Sequence, residues 1–407
     1  MMTYDSYKAS QTAWMGEVPE HWKLEKAKWH FTLRNERGNE NPVLLAATQK
    51  NGMYPQDKVE GVVKVAEGTD VQQFRTVHKN DFVISLRSFQ GGFERSDYEG
   101  VCSPAYQVFY SDEAWNDDYL RYLFKDELFI DAMNALTVGI REGRNIKYED
   151  FANSILAIPP IEEQKSIAAY LNEKIGCIDS VISEANVSIE EYKSWKASII
   201  YEAVTKGLDP NVEMKDSGVD IIGSMPASWK LCRLKYLCDI MTGNQDTQDA
   251  DENGIYPFYV RSPNIQRSNK YTFEGEGVLM AGDGAGAGRV FHHAFGKYAI
   301  HQRVYCLHNF KNVNVEYFLY FISELFKKVM DKGSAQSTVP SIRLPMIQDF
   351  LFCIPSEGEQ DQIVKLLNNR CASINSIISE KEALVSDLES YKKSLIFEVV
   401  TGKRRVV

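Results

Sequence analysis

The sequence predicts an α+β protein in which two globular domains of mixed helix and strand are separated by an antiparallel two-helix coiled coil. Three observations predict this fold class: an internal repeat, a heptad pattern in each half, and short apolar runs of strand type in between. The 407 residues suit two to four domains. A content of 44% hydrophobic and 25% charged residues is typical of a folded globular protein.

The internal repeat has similar outer parts and a divergent middle. Three pairs of segments carry it: GEVPEHWKL (16–24) with GSMPASWKL (223–231), IPPIEEQKSIAAYL (158–171) with IPSEGEQDQIVKLL (354–367), and SIIYEAVTKG (198–207) with SLIFEVVTGK (394–403). The first pair is offset by 207 residues and the other two by 196. Each half therefore has a leader, a variable globular segment and a long segment. This pattern indicates a shared role for the flanks and different roles for the middles.

The long segments are predicted to be helices that end at Gly207 and Gly402. Their apolar residues follow alternating steps of four and three, which is a heptad pattern. It comprises Leu171, Ile175, Ile178, Ile182, Ala185, Ile189, Tyr192, Lys196, Ile199 and Ala203, and then Leu367, Cys371, Ile374, Ile378, Lys381, Val385, Leu388, Lys392, Leu395 and Val399. The two faces most simply pair with each other; the alternative is that each helix packs separately on its own domain. Lys196 and Lys392 occupy equivalent positions, either to set register or with only their stems packed.

Chain connectivity sets the direction of the helix pair. The first helix is predicted over 161–206, and at ~1.5 Å per residue it would be about 70 Å long. The second globular segment begins near residue 222 and precedes the second helix. The chain thus runs out along one helix, forms a domain at its far end and returns. We therefore expect antiparallel helices and a pseudo-two-fold axis through the middle of the pair.

The globular segments, about 22–157 and 229–353, have the patterning of mixed α and β structure. Strands are predicted at PVLLAAT, DFVISL, AYQVFY and SILAIP in the first segment, and at YPFYV, GVLMA, RVYCL and DFLFCIP in the second. Each segment also has one predicted helix, at DDYLRYLFKDELFIDAMNAL and at VEYFLYFISELFKKVM. Apolar spacings of three and four in these helices favour core packing.

A glycine-rich run, VLMAGDGAGAGRV (278–290), raises the question of a nucleotide site. A dinucleotide fingerprint needs its glycines to open a helix, but Gly288 is followed by RVFHHAF, which is predicted to be a strand. The Walker A pattern is absent. A similar strand and loop occur at 80–93, so the run belongs to the repeated plan. Two interpretations stay open: a tight hairpin without a ligand, or a loop lying close to DNA.

Other signs of catalysis or of a different compartment are missing from the sequence. His292, His293 and His301 lack metal-ligand spacing, and no G-x-S-x-G elbow occurs. Glu163-Gln164-Lys165 is interpreted as helix capping rather than a nuclease fragment. The seven cysteines form no CxxC pair, which favours free buried thiols in a reducing compartment. No signal peptide or membrane span is recognised, so we expect a cytoplasmic protein.

The chain resembles the specificity subunits of type I restriction-modification enzymes over nearly its full length. The resemblance rests on the two P-x-x-W-K-L leaders, on SFQGGFERSDYEGVCSPAYQVF (88–109), on LMAGDGAGAGRV with AIHQRVY (299–305), and on the helix entries at 158–164 and 354–360. Each motif is weak alone, and the combination is specific.

The resemblance implies a division into four parts and a set of partners. The parts are a leader with a first target recognition domain (1–157), a first coiled-coil helix (158–207), a second leader and recognition domain (208–353) and a second helix (354–407). Each domain would recognise one half of a bipartite, asymmetric DNA target, and the coil would set the spacing. Two methyltransferase subunits would bind the helices, and motor-nuclease subunits would join through them. This chain would hold no cofactor or catalytic residue; S-adenosylmethionine is expected in the methyltransferase subunits, and ATP and Mg in the motor-nuclease subunits.

The candidate DNA-binding residues offer side chains that pair with base edges or phosphates, or are glycines that allow a close approach. In the first domain they are Arg87, Ser88, Gln90, Gly91, Gly92, Arg141, Arg144, Asn145 and Lys147. In the second they are Arg261, Asn264, Arg267, Asp283, Gly284, Arg289, Gln302, Arg303 and Arg343. For any one of them the alternative is a solvated surface residue or an internal ion pair. The net charge of −10 indicates weak DNA binding by the chain alone.

Two other functions remain possible from the residues. The chain could be a scaffold that joins proteins through its helices without recognising DNA. A methyltransferase with its own cofactor is less favoured, because the only Pro-Pro pair, Pro159-Pro160, lies outside the [ND]-P-P-[YFW] motif.

Overall fold

A computed structural model of the protein describes residues 3–38, 43–49, 51–59, 71–86, 88–136, 146–333 and 340–406. The chain divides into two compact units. Unit 1 contains Met1–Ala185 and Ala383–Val407, and unit 2 contains Asn186–Glu382. Each unit therefore combines one globular segment with the beginning of one long helix and the end of the other.

The elements of the first half are twelve strands and five helices within the described residues. The strands are β1 (Tyr7–Ala9), β2 (Glu17–Pro19), β3 (Lys23–Lys26), β4 (Phe31–Leu33), β5 (Leu45–Thr48), β6 (Gly52–Pro55), β7 (Arg75–Val77), β8 (Phe82–Ile84), β9 (Glu94–Arg95), β10 (Gly100–Cys102), β11 (Gln107–Ser111) and β12 (Ile155–Ile158). The helices are α1 (Ser88–Gly91), α2 (Asp117–Leu123), α3 (Glu127–Ala135), α4 (Tyr148–Asn153) and the long α5 (Ile161–Lys206).

The second half adds, among its described residues, twelve strands and three helices. The strands are β13 (Met214–Asp216), β14 (Ser224–Pro226), β15 (Lys230–Arg233), β16 (Asp239–Thr242), β17 (Tyr256–Tyr259), β18 (Gln266–Ser268), β19 (Phe273–Glu274), β20 (Gly277–Ala281), β21 (Phe291–Ala294), β22 (Lys297–Ile300), β23 (Val304–His308) and β24 (Leu351–Ile354). The helices are α6 (Val315–Gly333), α7 (Leu344–Gln348) and the long α8 (Glu357–Val400).

The two units share a framework of sheets. Unit 1 has a four-stranded sheet in the order β4-β11-β8-β9, and unit 2 has the matching order β16-β23-β20-β21. The leader strand β3 pairs with β12 just before α5, as β15 pairs with β24 just before α8. Unit 2 carries a second four-stranded sheet, β18-β17-β22-β19, where the described part of unit 1 has the hairpin β5-β6 and the pair β10-β7. The four-stranded sheet and the leader pairing are therefore repeated in both units, whereas the additional strands differ.

The first long helix has the predicted bounds, and parts of both long helices pair within each unit. In unit 1, Lys392 Nζ lies 2.5 Å from Asp179 Oδ1. In unit 2, Lys196 Nζ lies 2.8 Å from Asn375 Oδ1. These two contacts are equivalent at the offset of 196. They favour the interpretation in which the lysines set register, because each ammonium has a defined partner on the other helix.

The two segments run antiparallel in each unit, as predicted. In unit 2, Lys381 lies over the ring of Tyr192, while Lys196 further along α5 contacts Asn375 earlier in α8. Buried α5 and α8 residues also belong to the same apolar cores as the globular segments. Both the coiled-coil pairing and packing onto the domains are therefore present. Positive φ angles at Gly207 (77°) and Gly402 (72°) end the helices as expected.

The prediction of a single helix at DDYLRYLFKDELFIDAMNAL was wrong. The structure breaks it into α2 and α3, because the Asp126 carboxylate accepts a hydrogen bond from Phe129 N at 2.9 Å and caps a new helix. The counterpart in unit 2, α6, is continuous as predicted. Not all the cysteines are buried as expected, since Cys177 is exposed and Cys232 half-buried, although all seven are free thiols.

Candidate nucleic-acid interface

The leader tryptophans attach each globular segment to the long helix that follows it. Trp22 Nε1 donates to Glu163 Oε1 at 3.1 Å, and Trp229 Nε1 donates to Glu359 Oε2 at 3.0 Å. Both indole rings are fully buried. The glutamates do more than cap their helices, because each provides a charged acceptor for a buried donor. This pairing is the physical reason that the W of the leader and the E of the helix entry recur together.

The glutamine that follows each of these glutamates fixes the start of a domain helix. Gln164 Oε1 accepts a hydrogen bond from Asn116 N at 2.8 Å, just before α2. In unit 2, Gln360 Oε1 accepts from Asn314 N at 2.8 Å, just before α6. Both glutamine side chains are buried, so these contacts cannot be exchanged for water without cost. The loops of both domains are therefore held by equivalent contacts.

A buried tyrosine in each unit contacts the end of the other long helix. Tyr119 Oη donates to the carbonyl of Val400 at 3.0 Å in unit 1. Tyr317 Oη donates to the carbonyl of Val204 in unit 2, at 3.2 Å, or to that of Cys353 at 3.1 Å. Carbonyls at a helix C-terminus have no intrahelical partner, so these hydroxyls satisfy groups that would otherwise be buried unpaired.

The glycine-rich run forms a tight hairpin loop between β20 and β21, without a helix. Gly288 N donates to Ala281 O and Val290 N to Gly286 O, each at 3.0 Å. A Cβ at position 286 would lie 2.4 Å from the carbonyl oxygen of Arg261. Gly286 is therefore required for close packing of the loop on a neighbouring segment. Gly284, with a φ of 74° and no atom within 4 Å of a Cβ, leaves its side of the loop open.

Asp283 in this loop lies between two arginines from other segments. Arg261 Nη1 is 3.0 Å from Asp283 Oδ1, and Arg303 Nε is 3.7 Å from Asp283 Oδ2. The arginine side chains are 46% and 65% exposed, whereas that of Asp283 is 23% exposed. One carboxylate thus orients two guanidinium groups whose remaining donors face solvent. Such donors can form bidentate contacts with guanine edges or phosphates.

A second polar group lies next to this cluster. Gln302 Nε2 donates to Asp246 Oδ2 at 2.7 Å, and His301 Nε2 lies 3.6 Å from Asp246 Oδ1. His301 Nδ1 accepts a hydrogen bond from Arg303 N at 3.0 Å, which places the ring proton on Nε2. Burial, and then the charge of Arg261, lower the pKa of His301 and favour its neutral form. The sequence did not indicate Asp246, which lies about 55 residues from its partners.

The segment after the α6 region completes this surface. Gly284 N donates to Pro340 O at 3.0 Å, and Ile342 N donates to Gly282 O at 2.8 Å. The exposed side chain of Arg343 follows directly. Loops of unit 2 that are far apart in sequence therefore converge. We call this surface the arginine cluster, and it comprises Arg261, Asp283, Gly284, Gln302, Arg303 and Arg343, together with Asp246.

Three other candidates in unit 2 have different contacts. Arg267 donates to the carbonyls of Gly254 at 2.6 Å and Ile255 at 2.9 Å, which is a structural role at the turn before β17. Arg289 forms an ion pair with Asp331 at 2.5 Å. Asn264 is exposed in the loop after Arg261, and its carbonyl accepts a hydrogen bond from Ser262. Arg267 and Arg289 thus use some of their donors internally, whereas the exposed side chain of Asn264 stays a candidate for base contact.

In unit 1, the candidates Arg87, Arg141, Arg144 and Asn145 lie outside the described residues. Gln90 lies within α1, and Lys147 is exposed just before α4. Ser88 is buried, and a Cβ at Gly92 would lie 2.2 Å from the carbonyl oxygen of Phe124. Burial and tight packing give Ser88 and Gly92 a structural role.

A partly buried ion pair holds the loop that contains α1. Lys125 Nζ lies 2.7 Å from both Glu94 carboxylate oxygens and 2.7 Å from the carbonyl oxygen of Gly91. Burial raises the pKa of Glu94 to about 7, and the neighbouring ammonium opposes that rise. Gly91 is thus a structural acceptor in this loop.

Comparison with known proteins identifies the class that this framework defines. The profile of the type I restriction modification DNA specificity domain matches residues 16–190 and 226–385. The two matches cover most of the chain, and the chain belongs to this family. The family assignment, the fold class and a role in recognising DNA sequence are therefore confirmed.

Two relatives illustrate the similarity. The specificity subunit of the type I restriction enzyme EcoDI of Escherichia coli is 27% identical over 181 residues, which is 44% of this chain and 40% of that protein. The chain thus matches less than half the length of that relative. The MjaVIII specificity subunit of Methanocaldococcus jannaschii is 24% identical over an alignment that covers 96% of this chain and 94% of the relative.

A solved structure supports the fold. A chain from a study of complex assembly and conformational transition in a type I restriction-modification system has a TM-score of 0.70 with 14% identity. The match covers 94% of this chain and 98% of that one. Among the described residues, no helix combines the length and apolar character needed to cross a membrane.

Proposed function

We propose that the chain is the non-catalytic subunit that selects DNA for a type I restriction-modification complex, and that each unit recognises one half of a bipartite, asymmetric target. One observation carries the proposal: both units have the same framework of contacts, while the loops and additional strands on that framework differ. Trp22–Glu163 and Trp229–Glu359 represent the shared part. Two unlike recognition surfaces on equivalent frameworks suit two unlike half-sites.

In unit 2 we assign base recognition to the arginine cluster. Arg303 offers guanidinium donors that fit guanine, and Gln302 offers an amide that fits adenine. Asp283 holds the Arg303 side chain, and the His301 ring accepts from the Arg303 backbone before DNA arrives. Asp246 holds the side chain of Gln302. Such preorganisation reduces the entropy lost on binding. The exposed Arg343 at the edge of the cluster suits a phosphate contact.

The long helices would set the distance between the half-sites and bind two identical methyltransferase subunits. Equivalent helix segments in both units support this proposal, because identical partners need equivalent surfaces. S-adenosylmethionine would then be bound by the methyltransferase subunits, and ATP and Mg by motor-nuclease subunits that join through them. The chain would work in the cytoplasm, where its DNA is.

The decisive experiment is genome-wide mapping of adenine methylation in cells that carry this chain with its methyltransferase partner. The unaltered chain should give two short motifs separated by a fixed spacer. Arg303→Ala should relax or abolish one motif only, while Lys297→Ala, which removes an exposed unit 2 cation paired with Glu274, should change neither. The assignment of Arg303 fails if both motifs stay unchanged in the Arg303→Ala strain.

The alternative is a scaffold that joins proteins without recognising DNA. Fluorescence anisotropy with random duplex and with a duplex bearing the mapped motif discriminates the two functions. A scaffold would bind both duplexes equally over the whole range of salt, whereas a recognition subunit would prefer the motif.

A further inference from the structure

Both leaders carry exposed cationic and aromatic side chains at equivalent positions just after the buried tryptophan. KLEKAKW (23–29) and KLCRLKY (230–236) are equivalent at the offset of 207. The same four positions are exposed in both units: Lys23, Lys26, Lys28 and Trp29 in unit 1, and Lys230, Arg233, Lys235 and Tyr236 in unit 2. We call each set of four a leader patch.

The aromatic residue of each leader patch is unusually accessible. Trp29 is 62% exposed and Tyr236 is 65% exposed, whereas Trp22 and Trp229 a few residues earlier are fully buried. Large aromatic side chains are mostly buried in folded proteins, so exposure at the same place in two units calls for a reason. Core packing is not that reason, because the buried positions of these two segments are occupied by Ala27 and Leu234, two residues before each exposed ring.

The cations of the unit 1 leader patch are available for a ligand. Lys23, Lys26 and Lys28 form no ion pair with any residue that the structure describes. The nearest acid in sequence, Glu25, contacts His30 Nε2 at 2.5 Å instead. Three positive charges thus lie within seven residues of an exposed segment. Residues 23–26 form a strand and 27–29 a short 3₁₀ helix, so at ~3.3 and ~2.0 Å per residue the segment is about 15–20 Å long.

The unit 2 leader patch differs in one respect. Asp349 Oδ1 lies 3.4 Å from Arg233 Nη1 and 3.0 Å from Lys235 Nζ, so two of its three cations share an acid. At the offset of 196, the residue equivalent to Asp349 in unit 1 is Asn153. The same surface is therefore built twice, once with and once without a neutralising carboxylate.

We propose that the leader patches bind the phosphate backbone of duplex DNA without regard to sequence; this rests on the proposed function. A surface that recognises bases should differ between the units, as their loops do, whereas a surface that contacts phosphates can be the same in both. Lysine is depleted in protein–protein interfaces and common in phosphate contacts, which favours DNA over a protein ligand. Because the chain carries a net charge of −10, local cations are needed for DNA to approach.

The aromatic side chains fit the same ligand. The indole N–H of Trp29 and the hydroxyl of Tyr236 can each donate to a phosphate oxygen, and their rings can pack on deoxyribose. Lys235 Nζ also lies 5.6 Å from the centre of the Tyr236 ring, which groups charge and ring at one place. The leader patches would add affinity and position the duplex, while the loops would supply the sequence preference.

The test measures the salt dependence of binding to a random-sequence duplex, with the full chain assembled with its methyltransferase partner. Each phosphate contact contributes about 0.9 to the slope of log K against log salt, so Lys26→Ala with Lys28→Ala should lower the slope by about 2. The charge-matched control, Lys297→Ala with Lys327→Ala, removes two cations that pair with Glu274 and Glu324 in the globular segment of unit 2, outside the long helices, and should leave the slope unchanged.

A second variant should act in the opposite direction. Asp349→Asn removes the acid from the unit 2 patch and should strengthen binding to random duplex, with a slope raised by up to about 1. Preference for the mapped motif over random duplex should stay the same in both variants, because neither changes the loops.

The outcomes separate this proposal from the proposed function. An unchanged slope in the Lys26→Ala, Lys28→Ala chain overturns the role of the leader patch, even if the motif is still preferred. Loss of co-purifying methyltransferase subunits with an unchanged slope also overturns it, and identifies a protein-binding face. A lowered slope in a complex that shows no motif preference supports the leader patch and refutes sequence recognition by the chain.

Discussion

Gly286→Val should damage recognition of the half-site assigned to unit 2. Any Cβ at this position would lie 2.4 Å from the carbonyl oxygen of Arg261, whereas ordinary contacts are ~3.5 Å. The loop must therefore move by about 1 Å. Arg261 Nη1 and Asp283 Oδ1 are 3.0 Å apart, and a further 1 Å would take them beyond hydrogen-bonding distance.

The expected loss can be stated from the contacts that the loop supports. One bidentate contact with the correct base contributes about 1–3 kcal/mol of discrimination, which is about 5- to 150-fold in relative affinity. The overpacked loop should also lower the free energy of unfolding by about 1–3 kcal/mol. Assembly with methyltransferase subunits should be unchanged, because the long helices are not altered.

Competition binding measures this effect directly. The complex is titrated with the mapped duplex and with duplexes in which one or the other half-site is scrambled, and urea denaturation checks folding. Gly358→Ala is the control in the same unit, because nothing lies within 4 Å of its Cβ in α8. If Gly286→Val preserves full discrimination at both half-sites, the arginine cluster does not recognise bases and our reasoning about the loop is wrong.

Three further predictions concern stability. Lys392→Ala should lower the free energy of unfolding by about 0.5–1 kcal/mol through loss of the half-exposed pair with Asp179, and 1 M salt should reduce the effect, as measured by urea titration. Gly176→Ala on the exposed side of α5 should raise the free energy of unfolding by about 0.5–1 kcal/mol, because alanine favours a helix and nothing lies within 4 Å of its Cβ. The measurement is the melting temperature, and a lower melting temperature would contradict this reasoning. Trp229→Phe should lower the free energy of unfolding by about 1–2 kcal/mol in a urea titration, because the half-buried Glu359 carboxylate loses its indole donor. Glu359→Gln in that background should recover part of the loss in the same titration.

Local rules were sufficient for the regular parts of the fold. The heptad pattern predicted the body of α5, from Leu171 to Ala203, because a helix repeats the same contacts every turn. The strand β20 and the hairpin after it followed from an apolar run and a glycine-rich turn. The offset between 80–93 and 275–288 predicted equivalent strands in the two units, and the matching sheet orders confirm this. The same rules failed at Asp126, where one side-chain cap ends a helical pattern that is otherwise continuous.

The sequence by itself determined the repeat, the long helices and the family, because these depend on periodicity and on motifs that recur. The tertiary structure decided which polar side chains meet. Asp283, Arg303 and Asp246 contact one another or a common neighbour although 20 to 57 residues separate them, and nothing in local spacing predicts such contacts. It also decided that two donors of Arg267 are used on turn carbonyls. Loops that are distant in sequence meet because the strands between them fold back on one another. Which loops meet depends on how the strands pair and pack, and local sequence does not determine that.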